Sequence, residues 1–123
     1  MNTAPNIVIQ QMWDITTVTF QDTRLLEGQQ LEAIGKELYR LVDQMDRKKL
    51  VLDFTKVQLL SSAMISVLLI LNTKSKAIKG TFVICGLRKE LMKVFEIMKL
   101  VKVLKFAPDE GRALTMLGFS ANP

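Results

Sequence analysis

A chain of 123 residues with 49% hydrophobic and 24% charged side chains has the balance of one globular domain. With no histidine, one cysteine and no apolar run near the roughly 20 residues that cross a bilayer, the sequence argues against an internal disulfide, a transition-metal site of nitrogen and sulfur ligands, Ser-His or Cys-His catalysis and a membrane span. The net charge of +5 is dispersed over Arg47 to Lys49, Lys74, Lys76 and Lys79, and Lys99, Lys102 and Lys105, without a recognition motif, which argues against nucleic acid and for an acidic protein partner.

The opening Met-Asn-Thr-Ala-Pro-Asn lacks the basic start and apolar stretch of a signal peptide, so a soluble cytoplasmic protein is expected. Ile7 to Met12 and Ile15 to Phe20 read as two strands of a hairpin turning at Trp13-Asp14. From Glu27 to Asp46, Leu31, Ile34, Leu38, Leu41, Val42 and Met45 recur at helical spacing on one face. Leu50 to Phe54 is an apolar run typical of a central strand covered on both faces. A helix over Ser62 to Ala77 follows. Gly80 breaks it, and Thr81 to Cys85 gives a second buried strand closed by Gly86, with Cys85 a buried structural thiol. Leu91, Val94, Phe95 and Met98 mark a third helix, Val101 to Phe106 a short final strand, and Pro108 to Leu117 a last helix. The order ββαβαβαβα predicts one α/β domain over residues 1–123, with a mixed sheet of four to five strands and about four helices. Residues 1–5 and 119–123 are expected to be loose ends.

The Ser61-Ser62 pair opens the helix after the central strand, where free N–H groups and the positive end of the dipole favour an anion. A serine there can equally be only an N-cap, worth about 1 kcal/mol. At 100° per residue, Ala63, Met64, Val67, Leu68, Ile70, Leu71 and Ala77 fall on the side expected to pack on the sheet. Ser62, Ile65, Ser66, Leu69, Asn72, Thr73 and Lys76 fall on the other. Ile65 and Leu69 then either lie under a neighbouring helix or anchor a partner.

The element order, the segment Leu-Asp-Phe-Thr-Lys-Val-Gln-Leu-Leu-Ser-Ser and the segment Val-Ile-Cys-Gly-Leu-Arg-Lys-Glu-Leu-Met-Lys-Val-Phe-Glu-Ile-Met-Lys-Leu together resemble a STAS domain of the anti-sigma factor antagonist type. The resemblance covers nearly the whole chain. It implies a non-enzymatic switch without a cofactor, whose serine at the start of this helix is phosphorylated by an anti-sigma factor serine kinase and is restored by a serine phosphatase. The unphosphorylated form binds the kinase and frees the sigma factor; the phosphorylated form is released. By position Ser62 matches that serine, with Ser61 the alternative, and Asp22, Ser61, Ile65, Ser66 and Leu69 become the partner surface. Asp22 also reads as a cap for its loop. Family members carry Asp just before the serine and Gly two positions after it; here those positions are Ser61 and Met64.

Three rival readings remain in view. A receiver-like domain would need carboxylates at the end of the first strand, which Ile7 to Met12 does not supply. An enzyme is disfavoured: neither a phosphate-cradling glycine loop nor a Rossmann glycine pattern is present, and acidic pairs such as Asp109-Glu110 fall in turns. A non-switching STAS scaffold or small-ligand-binding module differs from the switch only in the fate of Ser62.

Overall fold

In the computed structural model, which describes residues 4–119, the elements in chain order are β1 (Ile7–Met12), β2 (Ile15–Phe20), β3 (Arg24–Leu25), α1 (Gln29–Asp43), β4 (Lys49–Asp53), β5 (Leu59–Leu60), α2 (Ser62–Ala77), β6 (Thr81–Cys85), α3 (Lys89–Ile97), a 3-10 turn (Leu100–Lys102), β7 (Lys105–Ala107) and α4 (Glu110–Met116). Five strands form one mixed sheet in the order β1-β2-β4-β6-β7. The β1–β2 hairpin is antiparallel, from Ile7 opposite Phe20 to Met12 opposite Ile15, and every other pairing in that sheet is parallel.

The interiors of the central strands, Leu50 to Leu52 of β4 and Phe82 to Cys85 of β6, are apolar and buried because both of their faces are covered. On one face Val18, Phe20, Leu50, Leu52, Phe82 and Ile84 lie under α1, α2 and α3, which contribute Ile34, Leu38, Met64, Leu68, Leu91 and Phe95. On the other face Ile15, Val51, Val83, Cys85 and Ala107 meet Ala113 and Leu114 of α4. Phe20 and Phe54 add a tilted ring pair at 4.6 Å between the first and second crossovers. The ion pairs found lie at the surface. Lys74 Nζ reaches Asp43 at 2.7 Å and stands 5.2 Å over the Tyr39 ring, fastening α2 to α1. Exposed pairs of this kind contribute about 0–1 kcal/mol each, so apolar burial carries the fold.

The structure departs from the sequence reading in four places. The segment Val101 to Phe106 is not one strand: Lys99 adopts φ 61, the chain makes a 3-10 turn, and pairing with β6 begins only at Lys105. The alternation of Val101 and Val103 imitates a strand while both side chains remain exposed. Helix α1 is shorter than 27–46, starting after Gly28 at φ 86 and ending before Asp46 at φ 55, so Met45 lies outside it and is exposed. Two strands of two residues each, β3 and β5, form a parallel ladder of their own that no periodicity announces. At the ends of the chain, residues 1–3 and 120–123 lie outside the described residues. Phe119 is tied down, donating its N–H to Leu114 O at 3.0 Å and packing on the α4 face.

Burial pushes the Cys85 thiol up to about 12, with the negative charge of Asp53 adding to the effect. It stays protonated through the physiological range. A thiol reagent at pH 8 should therefore leave the native protein unmodified and label it only on unfolding. The ordinary thiol value is about 8.5, so between that value and about 12 the unfolded state binds fewer protons than the folded one, and stability should fall as pH rises through this window.

Two glycines sit where a side chain has no room. A Cβ on Gly80 would lie 2.7 Å from Lys48 O, and Gly86 has φ 74 with its Cβ position 3.0 Å from Thr55 N and 3.1 Å from Asp53 Oδ1. At Gly86 a Cβ in the left-handed region costs about 1–2 kcal/mol before any overlap is relieved. Gly86→Ala should lower the urea midpoint by more than that cost alone, with the denaturant slope unchanged.

Candidate functional site

The segment between β4 and α2 is held by short-range polar contacts. Asp53 Oδ1 accepts from Thr55 N at 2.9 Å and from Thr55 Oγ1 at 2.5 Å, turning the chain at the end of the central strand. Lys56 Nζ reaches across to Gln21 Oε1 at 2.6 Å, and Gln58 N and Leu59 N both donate to Thr23 O. This delivers Leu59 and Leu60 into the ladder with Arg24 and Leu25. Ser61 N then donates to Leu25 O at 2.9 Å.

Ser61 is the N-cap, with extended φ −97 and ψ 168. Its Oγ accepts from Met64 N at 3.3 Å and donates to Leu26 O, while its carbonyl accepts from Ile65 N at 3.2 Å. Its hydroxyl is thus consumed on both sides and half-buried. Ser62, the first residue of the helix, is exposed, and among the described residues its hydroxyl bonds to no side chain or backbone group. The first turn of α2 contains no acidic residue, so the positive end of the dipole is not neutralised there.

The remaining site residues divide. Ser66 is exposed and Leu69 half-buried against the core, and with Ser62 they follow the i, i+4, i+7 stripe of one helix face. Ile65 does not join them. It is only 3% exposed, because the packed stripe of α2 runs through Met64, Ile65, Leu68, Leu71 and Ser75. Ile70, expected on the sheet side, is 46% exposed, and Ala63 and Ala77 are also exposed. Ile65 is therefore a core residue and offers no surface to a partner. Asp22 precedes the start of β3, whereas Ser61 and Ser62 follow the end of parallel β5, so the ladder separates them. Both Asp22 carboxylate oxygens are occupied: Oδ1 accepts from Asn6 Nδ2 at 3.1 Å and Oδ2 from Gln30 Nε2. This staple joins the start of β1 to the first turn of α1, and neither Asn6 nor Gln30 carried a sequence signal for it.

A groove of about 420 Å³, also absent from the sequence reading, runs between α1 and α2 beside the serines, bordered by Glu27, Leu31, Glu32, Lys36, Tyr39, Ala63 and Val67. Gly35 also lines it, and a Cβ there would make an ordinary contact 3.6 Å from Val67 Cγ2. Burial pushes the Tyr39 phenol above its ordinary range, against the pull of Lys74. Among the described residues no cluster of three His, Cys, Asp or Glu side chains is placed to hold a metal, and no helix is long and apolar enough to cross a membrane.

Residues 24–113 match the STAS domain family, and the chain belongs to it. Solved structures with the same fold include an anti-sigma-factor antagonist (STAS) domain protein from Planctomyces limnophilus, 18% identical with TM-score 0.81, covering 94% of this chain and 100% of its own. The Bacillus cell fate determinant SpoIIAA in its phosphorylated form is 14% identical with TM-score 0.71, covering 90% and 98%. A serine-to-glutamate variant of RsbS from Moorella thermoacetica is 19% identical with TM-score 0.77, covering 90% and 93%.

The two serines differ in what they do for the fold, and thermal melts should separate them. Ser61→Ala removes the cap and leaves Leu26 O without its partner, so a loss of about 1 kcal/mol or more is expected. Ser62→Ala should stay within about 0.5 kcal/mol of the native protein.

Proposed function

We propose that this protein is an anti-sigma factor antagonist acting as a phosphorylation-dependent partner switch. It binds an anti-sigma factor serine kinase while Ser62 is unmodified, is released when that kinase phosphorylates Ser62, and is reset by a serine phosphatase. It works in the cytoplasm by binding rather than catalysis, and uses neither cofactor, nucleic acid nor membrane. The observation that carries this reading is the exposed, unbonded Ser62 hydroxyl at the open N-terminus of α2, one residue beyond a serine that is fully spent as the cap. Modification at Ser61 would sacrifice two hydrogen bonds; at Ser62 it sacrifices none.

The electrostatics point the same way. A phosphoryl group adds about −1.5 to −2 charges, which the free N–H groups of a helix start accommodate and a partner's apolar or acidic surface does not. With Ser61 in place of a carboxylate, no neighbouring negative charge opposes the phosphate within the first turn. Ser66 and Leu69 lie on the same stripe and form the rim of the docking surface, with Asp22 at its far side. The groove between α1 and α2 favours a second reading, a STAS module that binds a small ligand or scaffolds other proteins without switching.

Mass spectrometry of the protein recovered from its own cells, with and without phosphatase, should show one phosphatase-sensitive phosphoryl group mapping to Ser62. Ser62→Asp should weaken binding to the kinase from those cells by at least about tenfold, equivalent to about 1.4 kcal/mol. Ser62→Ala should bind yet resist release by ATP. If both variants bind and release as the native protein does, the switch is wrong and the scaffold reading stands.

A further inference from the structure

Among the described residues the outer edge of β1 has no strand partner, and β1 itself carries none of the features that normally protect such an edge. Gln21 N donates to Asn6 O at 3.1 Å, so the even-numbered positions of β1 bond to β2 and the N–H and C=O groups of Ile7, Ile9 and Gln11 point outward. Edge strands are usually blunted by lysines, prolines, bulges or short length. Strand β1 has six residues, Ile-Val-Ile-Gln-Gln-Met, with no charge, no proline and an unbroken register against β2. The opposite edge, β7, is protected: it has three residues and begins with exposed Lys105.

The apolar side chains of β1 are exposed on both faces of the sheet. Ile9, on the face of α1 to α3, is 41% exposed, and Val8 and Met12, on the face of α4, are 43% and 41% exposed. Trp13 follows at 81% exposure with φ 58, in a hairpin turn where the left-handed region normally calls for glycine. A bulky aromatic held there carries backbone strain, and Gln11 Nε2 donates to Trp13 O at 3.3 Å.

We propose that β1 pairs with β1 of a second copy of this chain, antiparallel about a two-fold axis normal to the sheet at Ile9, joining the two sheets into one. In that register Ile9 meets itself as a hydrogen-bonded pair, Ile7 faces Gln11, Val8 faces Gln10, and Trp13 falls opposite Pro5. Pro5 lacks the N–H that the next outward position would supply, so the ladder ends there. Charge selects a second copy over an acidic or basic partner. The chain carries +5 overall, yet none of its first 13 side chains is charged, and Asp14 is paired with Lys49 at 2.9 Å. An edge without charged side chains lets two copies of a positively charged chain meet without opposing charges there, and it offers no counter-charge to a charged partner. A helix laid against one face would leave the apolar residues of the other exposed; a strand added in the plane extends both layers. Ser62 follows β5 and starts α2, beyond β2 and β4 in the sheet order, so both copies keep it open.

Sedimentation velocity of the native chain over the micromolar range should give a concentration-dependent dimer. Ile9→Lys opposes two ammonium groups across the axis and should sediment as a monomer while melting cooperatively; Gln11→Lys serves if that variant does not fold. Ile9→Cys should form a covalent dimer under mild oxidation, because a hydrogen-bonded pair at about 5.5 Å lies within disulfide reach. Lys105→Cys, on the opposite edge, should not. Trp13→Gly should raise the melting temperature and weaken the dimer. A native chain that stays monomeric throughout, or a dimer that survives both lysine variants, overturns the proposal.

Discussion

The Ser61 hydroxyl is fastened on both sides, donating to Leu26 O and accepting from Met64 N, and the geometry of the candidate site depends on it. One bond ties it to the residue just after β3, the other to the first turn of α2. Ser61 N adds a third tie, to Leu25 O. A helix beginning at a flexible junction would let its first residue sample many orientations. With the cap locked to the β3–β5 ladder, α2 enters at a set angle and Ser62 has one exposed position. The two-residue ladder buries Leu25 in the core and sets Leu60 against it, and it also aims the helix.

The sheet explains why the site forms where it does. Parallel strands return by crossovers, so the loops after β4 and β6 gather at the carboxyl edge, the usual place for binding in open α/β sheets. Gly86 lets the loop after β6 lie against the Asp53–Thr55 turn, and that contact sets where the chain leaves β4 on its way to Ser61. Three helices cover one face and only α4 the other. At β1 every residue after Ile7 is exposed, and as the terminal strand of the sheet it has one strand neighbour among the described residues.

Much of the fold could be read from residue pattern. The bounds of α2 and β6 follow directly from the helical spacing and from Gly80 and Gly86, because breakers flank strongly patterned runs. The packed face of α2 could not be read this way. Its first ten residues, Ser-Ala-Met-Ile-Ser-Val-Leu-Leu-Ile-Leu, are apolar almost all round, so a wheel cannot tell Ile65, at 3% exposure, from Ile70, at 46%. Only packing against α1 and the sheet decides between them. β3 and β5 are shorter than any period, and the Asn6–Asp22–Gln30 staple joins residues whose spacing carries no local signal. The serines illustrate the boundary: sequence places both at a helix start, but which is the cap and which is free depends on the position of Leu26 O.

The site's charge balance also constrains how a switch at Ser62 could act. An anion at a helix start is favoured by about 0.3–1 kcal/mol when exposed, rising toward about 2 in partly buried settings. With no acidic residue in the first turn of α2 to oppose it, a phosphate on Ser62 would stabilise the helix rather than melt it. Release by unfolding is therefore disfavoured on energetic grounds. On the proposed function, what changes is the surface seen by a partner: the small neutral hydroxyl would become a hydrated dianion on the same helix face as the half-buried Leu69. On that proposal the cost of desolvating the charge would fall on the complex, so a capped Ser61 and an exposed Ser62 would let a local modification weaken binding without movement of the fold.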